Sequence, residues 1–417
     1  MARPRTPAPP VVLRAARALD VTSGKVQAPG ELLVVDERIA EVRPTSVPSN
    51  AEVIDLGDVT LLPGLMDMEV NLLLGGPDHR DPLVAVQDDP AVRTLRAVAN
   101  ARRTLRAGFT TVRNLGLFIQ TGGLLLDVAL AKATDLGWID GPRIVPAGHA
   151  ITPTGGHLDP TMFQAFAPHV LPLTVEEGIA NGVSEARRAV RYQIKHGARL
   201  IKVCASGGVM SHTGPAGAQQ YSDEELVAIA DEAHRAGLKV AAHAHGDDGI
   251  RACLRAGIDC IEHGSLATDE TIAAMVELGT FLVPTTYLAD AMDVSHAAPE
   301  LQAKAAEVFP QAKRTISKAI EAGVKIACGT DAPAIPHGRN AMELAALVDR
   351  GMTPLQAIRA ATTMAAELID VDDRGRLEAG LLADVIAVPG NPLTDIATTQ
   401  QVCFVMKGGT VFRNDVA

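Results

Sequence analysis

The sequence predicts an α/β chain: a (β/α)8 TIM barrel accompanied by a small β-sandwich built from both termini. Three observations carry this expectation. Eight short apolar runs recur between residues 60 and 330, most of them separated by stretches of helical period. Several helical stretches end in Ala-Gly (Ala107-Gly108, Ala236-Gly237, Ala256-Gly257, Ala322-Gly323), a helix stop followed at once by a new strand. The two ends of the chain are β-like throughout, with Gly, Pro and acidic turns and no helical period. Parallel strands need helical crossovers of this kind, so a doubly wound open sheet is the second fold that fits the same pattern.

In chain order, VVLRAARALD, ELLVVDERIAEVRP and AEVIDLGDVTLLPG read as sandwich strands within 11–62. Barrel strands are expected at about 60–68, 109–114, 143–147, 199–204, 239–243, 258–263, 280–284 and 324–330. Helices are expected over 91–107, 174–196, 222–236, 247–256, 268–278 and 301–322. Residues 372–417 return to β with Gly turns. The expected organisation is therefore a β-sandwich domain of residues 1–62 and 372–417 around a barrel domain of residues 63–371.

Composition narrows the function. A net charge of −11, with Lys and Arg dispersed, disfavours nucleic acid and an anionic membrane surface, which call for a basic face. No run reaches the ~18 apolar residues of a membrane span, and the first twenty residues lack an apolar signal core. The five cysteines (Cys204, Cys253, Cys260, Cys328, Cys403) form no CxxC pair and are odd in number, as expected of reduced thiols. A cytoplasmic enzyme is the expectation.

Polar residues then stand out at strand ends. In an α/β barrel the carboxyl ends of the strands converge on one open face, where sites are built. Glu69 and Asn71 close the first strand, Lys202 the fourth, His243 and His245 the fifth, His263 the sixth and Asp331 the eighth. Residues two apart in a strand share a face, so Glu69 pairs with Asn71 and His243 with His245. Lys202, between Ile201 and Val203, is an ammonium in an apolar wall and is costly there unless it has a partner or a task. Such a gathering of nitrogen and oxygen donors reads as a metal site.

Over nearly its whole length the chain resembles the amidohydrolase superfamily, in its imidazolonepropionase-like and prolidase-like branch. The resemblance rests on PGLMDMEVNLLLGG, AGFTTVRNLG, RIVPAGHAITPTGGHLD, IKVCASGGVMS, YSDEELVAIADEAHRAGLKVAAHAHG, GIRACLRAGIDCIEHGS, KIACGTDAP and GRLEAGLLADVIAV, in that order. It implies one metal deep in the barrel, between first-strand histidines, a carboxylated lysine and the eighth-strand aspartate. A second metal would be held by that lysine and the histidines of strands five and six. Carried onto this chain, the lysine is Lys202, the histidines His243 and His263 and the aspartate Asp331. A CO2-derived carbamate on Lys202 would make it an oxygen ligand.

The first strand departs from the family, reading Glu69-Val70-Asn71 where the family has His-x-His. Glu is a competent oxygen ligand and Asn a weak one. Three arrangements stay open: one divalent metal, zinc by preference, on Lys202, His243 and His263; an altered deep site that uses Glu69 and Asn71; or no metal and a ligand-binding barrel. One metal per chain is the leading expectation. Glu-x-Asn is similar to the amidohydrolase of bottromycin biosynthesis, which removes a follower peptide beside a thiazoline.

The resemblance implies hydrolysis of an amide or peptide C–N bond in a peptide or small-molecule substrate, with dipeptidase, carboxypeptidase-like or acyl and aryl amide substrates as alternatives. Asp331 would be the base that takes a water proton and returns it to the leaving amine. His245 would hydrogen-bond the carbonyl or oxyanion. His157 and Tyr287, on loops after strands three and seven, are candidate substrate contacts, as are backbone donors at Ser206 and Gly207. The Asp78-His79-Arg80-Asp81 run is a weaker candidate. Members of the family are commonly oligomers, so a homo-oligomer is expected.

Overall fold

A computed structural model of the chain describes residues 9–75, 87–161, 167, 170 and 173–416. The Asp78–Asp81 run lies outside the described residues. The chain begins with seven strands, β1 (Val11–Ala15), β2 (Arg17–Asp20), β3 (Lys25–Gln27), β4 (Gly30–Val35), β5 (Arg38–Val42), β6 (Glu52–Asp55) and β7 (Val59–Pro63). Eight follow with helices between them: β8 (Leu65–Val70), β9 (Phe109–Asn114), β10 (Arg143–Pro146), β11 (Ile201–Cys204), β12 (Val240–Gly246), β13 (Cys260–Leu266), β14 (Phe281–Val283) and β15 (Lys325–Ile326). The last three are β16 (Val385–Pro389), β17 (Phe404–Lys407) and β18 (Thr410–Asn414).

The middle eight form a closed parallel barrel. β8, β9 and β10 make one run and β11 to β15 another. Backbone bonds from Ile151 to Lys202 (2.8 Å) and from Cys204 to Ile151 (2.9 Å) join β11 to the segment after β10. Bonds from Met68 to Cys328 (2.8 Å), Asp331 to Glu69 (2.7 Å) and Asn71 to Ala332 (2.6 Å) join β8 to the segment after β15. Closure removes the sheet edges that an open doubly wound sheet would leave.

Strands from both termini meet in a second unit. One sheet runs β5-β4-β1-β6 and the other β18-β17-β16-β7-β2-β3, with β16 antiparallel to β7. Alternate residues of the two sheets, among them Leu13, Leu32, Leu61, Val385 and Phe404, fill the core between them.

The expected first barrel strand, 60–68, is in fact two strands. Residues through Pro63 belong to the sandwich sheet, and the barrel strand starts at Leu65. Gly64 is the joint: a Cβ there would lie 2.2 Å from Thr110 Oγ1, so no side chain fits where the two units meet. The expected helix 174–196 is likewise divided. A short 3-10 turn, Val175–Glu177, precedes the helix Gly182–Lys195, because Gly178 and Gly182 take φ of 87° and 77° between them. The other helices match their sequence signals, for example Asp223–Arg235, where Ser222 and Glu225 form a reciprocal capping box. No helix among the described residues is long and apolar enough to cross a membrane. The five cysteines are free.

Candidate metal centre and active site

At the carboxyl ends of the barrel strands, three imidazoles converge. His243 and His245 on β12 and His263 on β13 each offer a ligand atom, and the three atoms lie within 4.8 Å of one another. Their ring centroids are 4.7 Å apart in every pairing. Neighbours orient them: His245 Nδ1 meets Ser265 Oγ at 2.8 Å and His263 Nδ1 meets Thr285 Oγ1 at 2.7 Å. In each of these two rings Nε2 is left as the remaining donor atom, the arrangement in which an outer partner fixes a ligand's orientation. His243 Nε2 is buried without a hydrogen-bond partner. Burial first, then repulsion by neighbouring imidazoles, His157 among them, and by Lys202, hold all three well below the ordinary imidazole value, so all three are neutral and able to bind a cation.

Lys202 and Glu69 sit beside this trio. Lys202 Nζ donates to Glu69 Oε1 at 3.1 Å, with both side chains almost wholly buried, and His263 Nε2 lies 3.8 Å from the same oxygen. Burial works against the Lys202 ammonium, but the Glu69 and Glu262 carboxylates outweigh it and raise its pKa. Glu69 Oε2 and Asn71 Oδ1 are buried without partners. Asn71 Nδ2 is bound to the Gly116 carbonyl at 2.9 Å. Asp331 faces the same cleft, where removal from water and the Glu69 carboxylate push its carboxyl well above the usual range.

The trio tests whether a divalent cation suits the site. Neutral imidazoles oriented by hydroxyls, an unpartnered His243 nitrogen and an unpartnered Glu69 oxygen form a borderline nitrogen and oxygen donor set, and the residues fit such a cation. Backbone strain marks the same place. His263, Thr285 and Asp331 take φ of 69°, 46° and 54°, conformations that cost on the order of 1–3 kcal/mol each unless the surroundings enforce them.

The cleft above, ≈ 880 Å³ including its open side, is lined by Glu69, Asn71, Lys202, His157, His243, His263 and Asp331. Its walls are apolar, with Leu74, Leu115, Phe118, Leu158, Met210 and Met292. His157 stacks on His243 at 3.9 Å and is fixed by Ser211 Oγ at 2.7 Å.

Other expectations need correction. Gly207 N–H is bonded to the Ala218 carbonyl (2.8 Å) and Ser206 N–H to the His243 carbonyl (3.4 Å), so neither is left for a substrate, and Ser206 Oγ accepts from the His245 N–H (2.8 Å). Both residues are buried, so they shape the β11 loop and are not donors into the cleft. Tyr287 does not line the cleft. Its N–H donates to Glu343 Oε2 at 2.8 Å, and Arg339 Nη2 lies 3.5 Å from its hydroxyl. His245, expected to contact the carbonyl, stands with the other two imidazoles.

Sequence reading missed the ion pair beneath the site. Arg113 on β9 donates to Glu262 Oε1 (2.7 Å) and to the Met68 carbonyl (2.6 Å), inside the barrel. Alternation along β13 would turn Glu262 away from the side His263 occupies. The positive φ at His263 breaks that alternation, so neither the Glu262 position nor the pairing could be read from period two.

His149 supplies a pH test of the surrounding scaffold. Burial holds its imidazole down to about 4, against an ordinary value of 6.5. The folded chain thus binds this proton less readily than the unfolded chain, so the contribution is complete above pH 6.5 and is lost as pH falls toward 4. Substitution His149→Gln is expected to flatten this part of the acid limb. Unfolding midpoints of both proteins between pH 7.5 and 4.5 check it, and parallel curves would refute the assignment.

The amidohydrolase family model matches residues 60–412. The chain is 37% identical over 376 residues to an ochratoxinase of Aspergillus niger, covering 85% of this chain and 75% of that protein. Among solved structures, a Xaa-Pro dipeptidase with bound methionine in its active site superposes with a TM-score of 0.89 at 35% identity, covering 97% of this chain and 100% of that one. A prolidase complexed with N-methylphosphonate-L-proline gives 0.86 at 33% identity, covering 97% and 100%.

Proposed function

We propose, from the premise that this chain belongs to the amidohydrolase family, that it is a metal-dependent hydrolase of N-acylated amino acids or dipeptides. The observation that carries the reading is the buried, neutral trio His243, His245 and His263, of which His243 and His263 line an apolar cleft together with Asp331. Likeness to an Xaa-Pro dipeptidase, a prolidase and an ochratoxinase supports an amide whose amine side is an amino acid.

The three imidazoles would hold one divalent cation, zinc by preference, with Glu69 beside them. Lys202 would join as a ligand only as its carbamate, a change that gives up the ion pair with Glu69. A bound divalent cation supplies Lewis-acid polarisation of the scissile carbonyl and an acidified water. The chain's own residues do the rest. Asp331 accepts the water proton and delivers it to the departing amine nitrogen, so that the carboxylate returns unprotonated and the C–N bond breaks with the electrons leaving on nitrogen. His157, stacked on His243 and held by Ser211, lines the wall where the substrate amide lies. Apolar walls exclude bulk water and receive side chains such as an aromatic ring or proline.

The test is amine release by the metal-loaded protein from a panel of N-acyl amino acids and dipeptides, including X-Pro, run in ¹⁸O water. Label in the new carboxylate is expected. A follower-peptide substrate beside a thiazoline, expected from Glu69-x-Asn71, is a narrower case of the same cleavage and belongs in the panel. Product without label would point to lyase or isomerase chemistry, and tight binding without turnover to a binding protein.

A further inference from the structure

A second cavity, ≈ 1040 Å³ including its open side, shares no lining residue with the cleft. Arg103, Arg106, Arg339 and Arg413 line it, with His337 and Gln400. Four guanidinium groups around one cavity are unexpected on a chain of net charge −11. Few of these charges are compensated. Asp415, on Arg413, is the one carboxylate paired with any of the four among the described residues. The others are held by neutral acceptors: Arg103 Nη1 by Asn100 Oδ1 at 3.0 Å, Arg106 Nη1 by the Phe412 carbonyl at 2.9 Å, and Arg339 Nη2 within 3.5 Å of the Tyr287 hydroxyl.

Those contacts position the cations without neutralising them. Asn100, itself buried, donates to the Leu72 and Leu74 carbonyls at 2.9 and 2.7 Å, so Arg103 hangs from a fixed support. Arg413 Nη1 donates to the Arg106 carbonyl at 2.9 Å, which ties β18 to the helix Pro90–Arg106 at the cavity wall. Guanidinium forks match the oxygens of a tetrahedral dianion in pairs, and forks already held in place lose little freedom on binding. We propose that this cavity is a binding site for a phosphoryl dianion, either inorganic phosphate or the phosphate of a small phosphomonoester. Leu74, whose carbonyl accepts from both Asn100 and His337 on this side, lines the cleft on the other. The site therefore adjoins the loop that closes the first barrel strand.

Isothermal titration of the metal-loaded full chain at constant ionic strength tests this, with inorganic phosphate and glycerol phosphate in separate arms. Saturable binding is expected, weakened by at least about tenfold in Arg103→Gln/Arg339→Gln and kept in His243→Ala, which disables the metal centre. Whichever probe binds more tightly identifies the source of the phosphoryl group. Arg106→Lys, which keeps the charge and loses the fork, should weaken binding less than Arg106→Gln. Unchanged affinity in the double variant, loss of binding in His243→Ala alone, or no saturable binding up to about 20 mM would each overturn the proposal. If the double variant does not fold, the exposed Arg339→Gln change alone serves.

Discussion

The variant His243→Ala is expected to lose its divalent cation and to hydrolyse amides at least about a thousandfold more slowly than the wild type. His243 Nε2 is a buried nitrogen without a partner, and it stands against two further neutral imidazoles. Such an atom forfeits hydrogen bonding to water on folding, a cost that a cation would offset. Removing it leaves two imidazoles and Glu69, a poorer set for a borderline metal. Elemental analysis of metal per chain, beside kcat/KM on the best amide of the panel, checks the result. Two companion variants separate ligand from support. Ser265→Ala and Thr285→Ala remove the hydroxyls that orient His245 and His263, and should cost about 10–100-fold in metal affinity. Glu69→Ala distinguishes the arrangements left open by the first strand. Metal retained there means a centre on the imidazoles alone; metal lost means that the carboxylate is a ligand. Wild-type metal content in His243→Ala would remove the basis of the proposed mechanism.

Much of the barrel was legible because its signals are local. Helical stretches closed by Ala-Gly mark where a helix must stop and a strand begin, and Gly237 and Gly323 take the positive φ that such a stop requires (72° and 84°). The gathering of Glu69, Asn71, Lys202, His243, His263 and Asp331 at one cleft followed from a single rule, that strand ends of a barrel share a face. What the sequence hid depends on contacts far apart in the chain. The need for Gly64 at the joint is set by the distant Thr110 side chain. Gly207 looked like a free donor because its acceptor, the Ala218 carbonyl, lies across a loop whose path is not periodic. His245 could not be sorted between ligand and carbonyl contact, since period two gives it the same face as His243 and says nothing of depth.

The Arg113–Glu262 pair shows how such a hidden contact can set the energetics beneath the site. With side chains 3% and 0% exposed, the two groups meet at 2.7 Å inside the barrel, and Cys260 Sγ donates to the same Glu262 oxygen at 2.9 Å. Substitution Arg113→Met would leave a carboxylate in the barrel interior, near the second carboxylate at Glu69. Breaking a buried pair in this way costs about 3–5 kcal/mol, because desolvation of the remaining charge is no longer offset. A marked fall in the thermal unfolding midpoint is therefore expected. Glu262 can escape part of this penalty by taking up a proton, so the loss should be smaller at pH 5 than at pH 8. The double variant Arg113→Met/Glu262→Gln carries no buried charge at this place and should recover most of the loss. Recovery would also separate stability from function. Arg113 Nε holds the Met68 carbonyl, one residue before Glu69, and the double variant lacks that bond. Metal affinity should therefore stay below wild type even where the midpoint is restored. A single variant as stable as wild type, or a double variant no better than the single, would mean that the pair does not govern the barrel floor.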